Sequence, residues 1–490
     1  MYLLGVDFGG GASKATLLRE DGAVAAVNTV EYRTMYPKQG YAEQNPYDWY
    51  AAIKENIMAV IKKSGIHPSE IAVLSLDAAT HTAVVCDKDF NVLCPSIYWT
   101  DTRSTDEVRY LKENFGDLIL SSAYHSVDTI WTLPQLLWLK NNKPAVWEKC
   151  RRIMFAKDYV RHMLTGDYVT DNIEAQGSML FDFNTGAWSE KLCEIIGFDA
   201  CDMPRVVRPG DTVGTVTKKA AAETGLCEGT KVICGTTDTV MEVFASGAAA
   251  LGETTVKLAT AGRICIITDR AYPDKNLVNY SHIVDGLWYP GTATKSCAAS
   301  YRWYRDTFGD DYKALDCGAQ QISPGCDGLF FHPYLNGELT PYADPLLRGS
   351  FTGIRAGHDK RHFSRAVLEG VAYSLSESKN VLENLGISHN SYASIIGGGA
   401  YSPLWRQIVS DVLGISLVLR KNSDSSLGSA MLAGISAGIF ENPADAINRC
   451  TEIIGETNPN TDNHLIYAEN FKTYKKIHDA LAPVYHEMKL

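Results

Sequence analysis

Residues 5–14 read GVDFGGGASK, and this run of a carboxylate and three glycines after a short apolar stretch decides the fold. Residues 2–8 and 14–18 predict two strands joined by a glycine bend. The bend does not fit the pattern GxxxxGK followed by Ser or Thr, because Gly11 occupies the lysine position. It does not fit GxGxxG either, because Lys14 occupies the position of the third glycine.

Two interpretations of this bend remain. In the first, the bend is a tight hairpin in which Asp7 caps its own turn. In the second, the glycines let backbone N–H groups approach a phosphate closely. An aspartate beside a phosphate then needs a cation between the two negative charges, and Mg²⁺ with its water shell suits that position. The local residues alone do not choose between these interpretations.

The rest of the chain repeats this pattern among helices. Residues 253–268, ETTVKLATAGRICIIT, predict a second hairpin with the small-residue bend ATAG, and residues 394–414 predict a strand, a glycine turn and a helix. A helix is predicted at 51–65, a buried strand at 71–79, and a turn at 87–91 between strands at 84–85 and 92–99. The alternation predicts an α/β fold with one architecture used twice. We place the domain boundary in the apolar stretch 245–252, giving domains 1–248 and 249–490.

The composition narrows the class of protein. The chain has 490 residues, a formal net charge of −11 and 12 cysteines without metal-ligand spacing, which suits reduced thiols rather than a disulfide framework. The negative charge argues against a nucleic-acid partner. The sequence shows neither a secretory leader nor a long uncharged apolar run, so no membrane partner is expected. We therefore expect a cytoplasmic protein acting on a small molecule.

Asp238 is the candidate catalytic residue. It follows the apolar strand of KVICGTTDTVMEVF (231–244) at the start of a predicted helix. It could be an N-cap, or it could be a general base that accepts a proton from an attacking sugar hydroxyl. Phosphoryl transfer needs little else from a protein besides positioning and charge neutralisation. Glu242 lies four residues on and would share a helix face with Asp238.

Two further segments carry candidate residues. In WTDTR (99–103), Trp99 offers a flat apolar wall for the C–H face of a sugar, and Asp101 and Arg103 would share one face of an extended chain and pair. The alternative is a buried tryptophan beside a surface ion pair. Residues 328–354 are too rich in Pro, Gly and aromatic residues for a helix, so they predict a functional loop or a structural brace.

Taken together and in order, these segments resemble the FGGY family of carbohydrate kinases. The resemblance covers essentially the whole chain and rests on six collinear segments. These are WTLPQLLWLKNNKPAVW (131–147), KDYVRHMLTGDYVTD (157–171), residues 328–354, RAVLEGVAYSL (365–375), SPLWRQIVSDVLG (402–414) and LGSAMLAG (427–434). It implies two actin-like (ribonuclease-H-like) domains with ATP, Mg²⁺ and a sugar in the cleft between them.

The resemblance also implies roles for particular residues. Asp238 matches the catalytic base, and Asp7 the residue that positions the Mg²⁺–phosphate; both are candidate metal-binding residues. The nucleotide is expected to contact the two bends and the later glycine turn. The candidate nucleotide-binding residues are Gly9, Gly10, Gly11, Lys14, Thr260, Ala261, Gly262, Gly398 and Gly399. Gly10 and Gly11 replace a hydroxyl pair usual in the family, so backbone N–H groups are expected to bind the phosphates.

Within the family the xylulokinase-like branch fits best, since His81 in AATH (78–81) matches its sugar-contacting histidine. Thr80, His81, Trp99, Asp238 and Thr239 are the candidate substrate-binding residues. Thr239 and Glu242 depart from the usual pattern; Glu242 could bind a substrate hydroxyl, pair with a cation or face solvent. The expected reaction is ATP-dependent phosphorylation of a ketopentose such as xylulose. The alternatives are ribulose, gluconate or a small polyol such as erythritol as acceptor, or a non-catalytic actin-like regulator. A homodimer is compatible with the sequence.

Overall fold

A computed structural model describes residues 1–488. Its framework is two mixed β-sheets covered by helices, and each sheet is built around one of the predicted hairpins. The first sheet contains the strands Tyr2–Phe8, Ala12–Arg19, Val24–Glu31, Ile71–Ala78, Thr212–Thr215, Lys231–Ile233 and Thr236–Thr237. The second contains Thr254–Leu258, Gly262–Ile266, Gly291–Thr294, Tyr392–Ile396, Ser416–Arg420 and Ile453–Thr457.

The two sheets share one topology. In each, the first strand of the hairpin pairs antiparallel with the second strand and parallel with a later strand, Ile71–Ala78 in one sheet and Tyr392–Ile396 in the other. A third antiparallel strand continues each hairpin outward. The predicted α/β fold with one architecture used twice is therefore confirmed. Short strand pairs supplement the sheets: Glu43–Gln44 with Ser96–Ile97, Ala83–Cys86 with Arg152–Phe155, Val169–Asp171 with Arg205–Val207, Phe181–Asp182 with Ala187–Trp188, and Phe330–His332 with Ser350–Thr352.

Helices cover both sheets. Up to residue 245 they are Pro46–Ser64, Thr105–Ala123, Thr132–Asn142, Pro144–Trp147, Ala156–Thr165, Asn172–Gly177, Glu190–Ile196, Lys218–Thr224 and Asp238–Ala245. The later helices are Ala298–Phe308, Tyr312–Ala319, Lys360–Asn384, Pro403–Leu413, Ser425–Ser436, Pro443–Cys450 and Thr461–Glu487. No helix in residues 1–488 is both long enough and apolar enough to cross a membrane.

Two local predictions need correction. The helix predicted at 51–65 begins at Pro46, because Asn45 caps it by accepting a hydrogen bond from the N–H of Tyr47, and it ends before Gly65 in a left-handed conformation. The strand predicted at 92–99 is reduced to Ser96–Ile97. Pro95 precedes it and cannot donate a hydrogen bond to a neighbouring strand.

The helix Ser425–Ser436 belongs to the later half of the sequence, but it packs on the first sheet and on the helix Asp238–Ala245. Two glycines permit this approach. A Cβ at Gly5 would lie 2.1 Å from the carbonyl oxygen of Ser426, and one at Gly428 would lie 2.3 Å from that of Met241. The chain thus returns to the first sheet after the strand Ser416–Arg420 and rejoins the second at Ile453–Thr457. The boundary between 248 and 249 remains a prediction.

Candidate active site

The first hairpin bend presents N–H groups and hides its carbonyl groups. The carbonyls of residues 9–11 accept hydrogen bonds from the hydroxyl and N–H of Tyr32 and from the side chains of Thr34 and Gln44. The N–H groups of Gly10 and Gly11 have no protein acceptor among the described residues. A bend whose acceptors are occupied and whose donors are free is suited to bind an anion.

The second bend is arranged in the same way. The N–H groups of Cys297 and Ala298, at the start of the following helix, donate to the carbonyls of Thr260 (3.0 Å) and Ala259 (2.8 Å). The Gly262 N–H donates to the Thr294 hydroxyl at 3.1 Å. The N–H group of Gly262 is therefore already engaged, whereas the N–H group of Ala261 has no protein acceptor in the described part of the chain.

The later glycine turn lies beside this second bend. Gly398 and Gly399 form the turn that follows the strand Tyr392–Ile396. A Cβ added at Gly399 would lie 3.0 Å from the Leu258 side chain and 2.7 Å from the Trp405 ring, whereas one added at Gly398 would meet nothing within 4 Å. The glycines therefore place an open backbone segment next to the bend at 259–262, as their proposed shared role with the nucleotide requires.

Carboxylates accumulate at the first bend. Asp7 and Asp77 occupy matching positions on neighbouring parallel strands, and Asp77 is fully buried and accepts a hydrogen bond from the Ser429 hydroxyl at 2.5 Å. Burial raises the pKa of Asp7 to about 7; a hydrogen bond with Asp77 opposes this rise, and the charges of Asp238 and Asp424 add to it. Burial and the neighbouring Asp7 likewise raise the pKa of Asp77 well above its usual value, so the carboxyl groups in this region influence one another.

Lys14 supplies one cation to this cluster. Its ammonium lies 2.8 Å from Asp424, the residue that caps the helix Ser425–Ser436. Lys14 therefore already has a carboxylate partner, and its contact with a nucleotide remains a prediction. Among the described residues, no three His, Cys, Asp or Glu side chains converge closely enough to hold a metal ion by themselves.

Asp238 is the first residue of the helix Asp238–Ala245, whose N-cap is Thr237. Its carboxylate accepts hydrogen bonds from the hydroxyls of Thr80, at 2.7 Å, and Thr239, at 3.2 Å. Burial raises the pKa of Asp238, while the Thr80 hydrogen bond and the charge of Lys257 lower it. The half-buried carboxylate is not the cap of its own helix, so the N-cap role considered from the sequence is wrong.

Glu242 pairs with a cation, which was one of the three options for it. It forms an ion pair with Lys257 on the first strand of the second hairpin, so it links the helix of Asp238 to that hairpin. The charges of Asp7 and Lys257 both interact with Asp238. Asp238 is therefore near one residue of each hairpin.

His81 lies one residue beyond Thr80 and is held in a left-handed backbone conformation with φ of 50°. The Glu174 carboxylate accepts a hydrogen bond from its N–H, and the Thr132 hydroxyl donates to its carbonyl at 2.5 Å. Its ring packs on Trp131 at 4.7 Å between centroids. Burial lowers the pKa of His81 to about 3, so the imidazole is neutral at neutral pH.

The segment 99–103 differs from expectation. Trp99 is 43% exposed and lies 5.8 Å from the Tyr98 ring; its contact with a sugar remains a prediction. Asp101 and Arg103 do pair, at 2.8 Å, but in a turn rather than an extended chain, and their side chains are 1% and 3% exposed. The surface ion pair considered from the sequence is therefore wrong: the pair is buried, with Arg103 stacked 3.8 Å from the Tyr41 ring.

Sequence reasoning missed several residues of this region. They are Asp77, Asp424, Glu174, Lys257, Arg263 and Arg302. The Arg302 guanidinium donates a hydrogen bond to the Thr260 hydroxyl at 2.9 Å. Asp77 carried a usable signal, because it ends an apolar strand predicted to be buried, as Asp7 does. Nothing in the local sequence distinguished the others.

The duplicated sheets, the two N–H-presenting bends and the carboxylate between them define a two-domain, actin-like phosphotransferase fold. Residues 2–245 match the N-terminal domain of the FGGY family of carbohydrate kinases, and residues 231–437 match its C-terminal domain. The chain belongs to this family and is a sugar kinase.

Particular relatives support this assignment. The xylulose kinase of Bacillus subtilis (strain 168) is 32% identical over 482 residues, covering 97% of this chain and 96% of that kinase. The gluconokinase of the same strain is 28% identical over 471 residues, covering 93% and 91%. The structure of a ligand-bound xylulose kinase from Lactobacillus acidophilus superposes with a TM-score of 0.93 at 25% identity, over 100% of both chains.

Proposed function

We propose that this chain transfers the γ-phosphoryl group of ATP to a hydroxyl of an open-chain sugar, with Asp238 as the general base. The observation that carries the proposal is the placement of the Asp238 carboxylate. It interacts through its charge with Asp7 of the first hairpin and Lys257 of the second, accepts the Thr80 hydrogen bond at 2.7 Å and caps no helix. A carboxylate so placed is free to receive a proton from a bound hydroxyl.

The proposed reaction is a single in-line displacement. The sugar hydroxyl gives its proton to Asp238 while its oxygen forms a bond to the γ-phosphorus, and the bond between that phosphorus and the β–γ bridging oxygen breaks, releasing ADP. Thr80 and Thr239 hold Asp238 in one orientation by donating to the same oxygen. Because His81 is neutral, its ring can exchange hydrogen bonds with sugar hydroxyls without adding a charge.

The two bends are the proposed phosphate-binding elements. The free N–H groups of Gly10, Gly11 and Ala261 are the donors that support this role, and the turn at Gly398 and Gly399 would border the rest of the nucleotide. The family resemblance implies hydroxyl residues at positions 10 and 11, where this chain has glycines, so the backbone would carry more of the phosphate binding. The ion pair of Lys14 with Asp424 argues for an indirect role of that lysine.

The residues around Asp7 also suit Mg²⁺. Burial is the main cause of the raised pKa of Asp7, and the charges of Asp238 and Asp424 add to it. A divalent cation would offset those charges, and Mg²⁺ in proteins is commonly held by one or two carboxylates together with water and substrate phosphates. Asp7 and Asp238 would hold it. When bound, the ion neutralises charge on the phosphates.

A ketopentose such as xylulose is the acceptor that we propose. The support is the hydrogen bond from Thr80 to Asp238, with His81 next to Thr80 in the chain, together with the xylulose kinases among the relatives. Ribulose, gluconate and small polyols remain the alternatives, and gluconokinases are also among the relatives. A non-catalytic regulator would not need the base, whereas Asp238 is present and positioned.

The test is a coupled assay of ADP release over ketopentoses, aldonates and polyols, with ³¹P NMR of the sugar product. We expect sugar-dependent ADP release with at least one open-chain acceptor, and a phosphomonoester signal for that product. If the folded protein binds ATP but forms ADP with no member of the panel, the proposal is overturned in favour of the regulator.

A further inference from the structure

Arg263 is a half-buried cation. It lies on the strand Gly262–Ile266, directly opposite Lys257 in the second hairpin. Its Nε and Nη2 atoms are buried and donate to no acceptor, and it takes part in no ion pair within residues 1–488. Glu242, the carboxylate that could have paired with it, is already engaged by Lys257.

The surroundings of Arg263 are aromatic. Its guanidinium lies 5.8 Å from the Tyr280 ring and 5.6 Å from the Tyr289 ring. These cation–π contacts compensate part of its charge but accept none of its N–H hydrogens. The Tyr289 hydroxyl and both ring nitrogens of His125 are likewise buried without a hydrogen-bond partner. A group of unpaired polar atoms is thus gathered at one place.

This group is continuous with the proposed sugar site. His125 packs 5.1 Å from Tyr280 and stacks 4.1 Å from Trp131, which in turn packs on the His81 ring. The charges of Arg263 and Asp238 both act on Tyr280 and Tyr289. Arg263 therefore lies at one end of an aromatic wall whose other end is His81, and Asp238 is close to the same wall.

A guanidinium with unpaired N–H groups favours ligands that offer matching acceptor oxygens. Its planar set of N–H donors fits the coplanar lone pairs of a carboxylate or a carbonyl oxygen. A buried donor that is left unpaired is costly, so a ligand without a matching oxygen is rejected. Polyols carry only hydroxyls, whereas ketoses and sugar acids carry a carbonyl or carboxylate oxygen at one end of the chain.

We propose that Arg263 is a specificity-determining residue that donates hydrogen bonds to the ketone or carboxylate oxygen at the end of the acceptor remote from the hydroxyl facing Asp238. The site then accepts ketoses and sugar acids and rejects polyols of the same length. This inference rests on the proposed phosphotransfer to an open-chain sugar and adds which end of that sugar is recognised, and by what.

The experiment compares kcat/KM for matched five-carbon acceptors: xylulose and ribulose as ketoses, xylonate as the acid, and xylitol as the polyol. It uses the wild-type chain, Arg263→Met and Arg263→Lys. Arg270→Met is the matched control, since Arg270 is an exposed arginine 4.9 Å from the Tyr272 ring. Unfolding midpoints of all variants show whether each is folded.

We expect the wild-type chain to prefer xylulose or xylonate over xylitol by about 10- to 100-fold, as for a lost hydrogen bond to a charged group. Arg263→Met should bring that ratio close to one, Arg263→Lys should keep part of it, and Arg270→Met should leave it unchanged. Whether a ketose or the acid is the preferred acceptor shows whether Arg263 donates to a ketone oxygen or to a carboxylate oxygen. If the methionine variant proves unfolded, the lysine variant carries the test.

An unchanged ratio in a folded Arg263 variant overturns this inference, as does a wild-type chain that prefers xylitol. Neither outcome touches the proposed phosphotransfer. That function fails separately, if the wild-type chain phosphorylates no acceptor of any kind.

Discussion

The hydroxyl of Thr80 donates a 2.7 Å hydrogen bond to Oδ1 of Asp238, and this bond joins the end of a strand of the first sheet to the first residue of the helix Asp238–Ala245. Burial alone would raise the pKa of Asp238 and weaken its charged form; Thr80 opposes that rise. A neighbour in the proposed sugar site thus favours the ionised form of the proposed base.

Replacing Thr80 by valine removes this donor while conserving side-chain shape. We expect kcat/KM for the sugar to fall about 10-fold or more, because hydrogen bonds to charged groups contribute about 1.5–3 kcal/mol. The pKa of Asp238 should rise, so the acidic limb of the pH profile of kcat/KM should move to higher pH. Thr185→Val, at an exposed loop position, is the control. A profile that does not move would contradict the role of Thr80.

Packing of the helix Ser425–Ser436 on the helix Asp238–Ala245 depends on Gly428, since a Cβ there would lie 2.3 Å from the Met241 carbonyl oxygen. Gly428→Ala should lower the free energy of unfolding by about 1–3 kcal/mol, as overpacked cores do. Gly116→Ala is the matched control within the helix Thr105–Ala123, where a Cβ meets nothing within 4 Å, and it should stabilise by about 0.5–1 kcal/mol. Denaturant unfolding measures both. Equal effects of the two substitutions would contradict the packing account.

The hairpins were predictable because their signals are local. Apolar strands, a bend of small residues and the next strand lie within about twenty residues of one another at 2–18 and 253–268. The same holds for the position of Asp238, which follows its own strand. The charge crowding around Asp7 was not predictable from those letters, because it depends on the parallel register that places Asp77 beside it.

Contacts between residues far apart in the sequence could not be predicted from local sequence patterns. The ion pair of Lys14 with Asp424 joins residues 410 positions apart, and the helix Ser425–Ser436 covers a sheet whose strands precede residue 238. Arg263 lies in an apolar strand, and the local sequence does not predict its contacts with the rings of Tyr280 and Tyr289. Gly5 allows the helix Ser425–Ser436 to pack closely on the first sheet, but only the steric contact with Ser426 in the structure reveals this role.

Glu377 makes stability depend on pH. It is buried, with burial raising its pKa to about 8; a hydrogen bond from Tyr342 opposes the rise, and the nearby Glu338 carboxylate adds to it. Between pH 4.5 and 8 the folded state retains a proton that the unfolded chain has lost, so the free energy of unfolding falls as pH rises through this window.

Glu377→Gln stays neutral and can still accept the Tyr342 hydrogen bond. Its melting temperature should therefore match the wild type near pH 5 and exceed it near pH 9. Glu55→Gln, on an exposed helix position, should show no such crossover. Parallel melting curves of Glu377→Gln and wild type across the whole range would show that this carboxyl does not govern the dependence.

The central claim is that Asp238 is the base for phosphoryl transfer to a sugar. The most direct measurement is the rate of sugar-dependent ADP formation by Asp238→Asn and wild type, with ATP affinity determined by calorimetry on the same samples. We predict a loss of about 10²–10⁴-fold in kcat, the usual contribution of a general base, with ATP binding retained. Turnover of the asparagine variant close to the wild-type rate, with the protein folded and ATP bound, would contradict the claim.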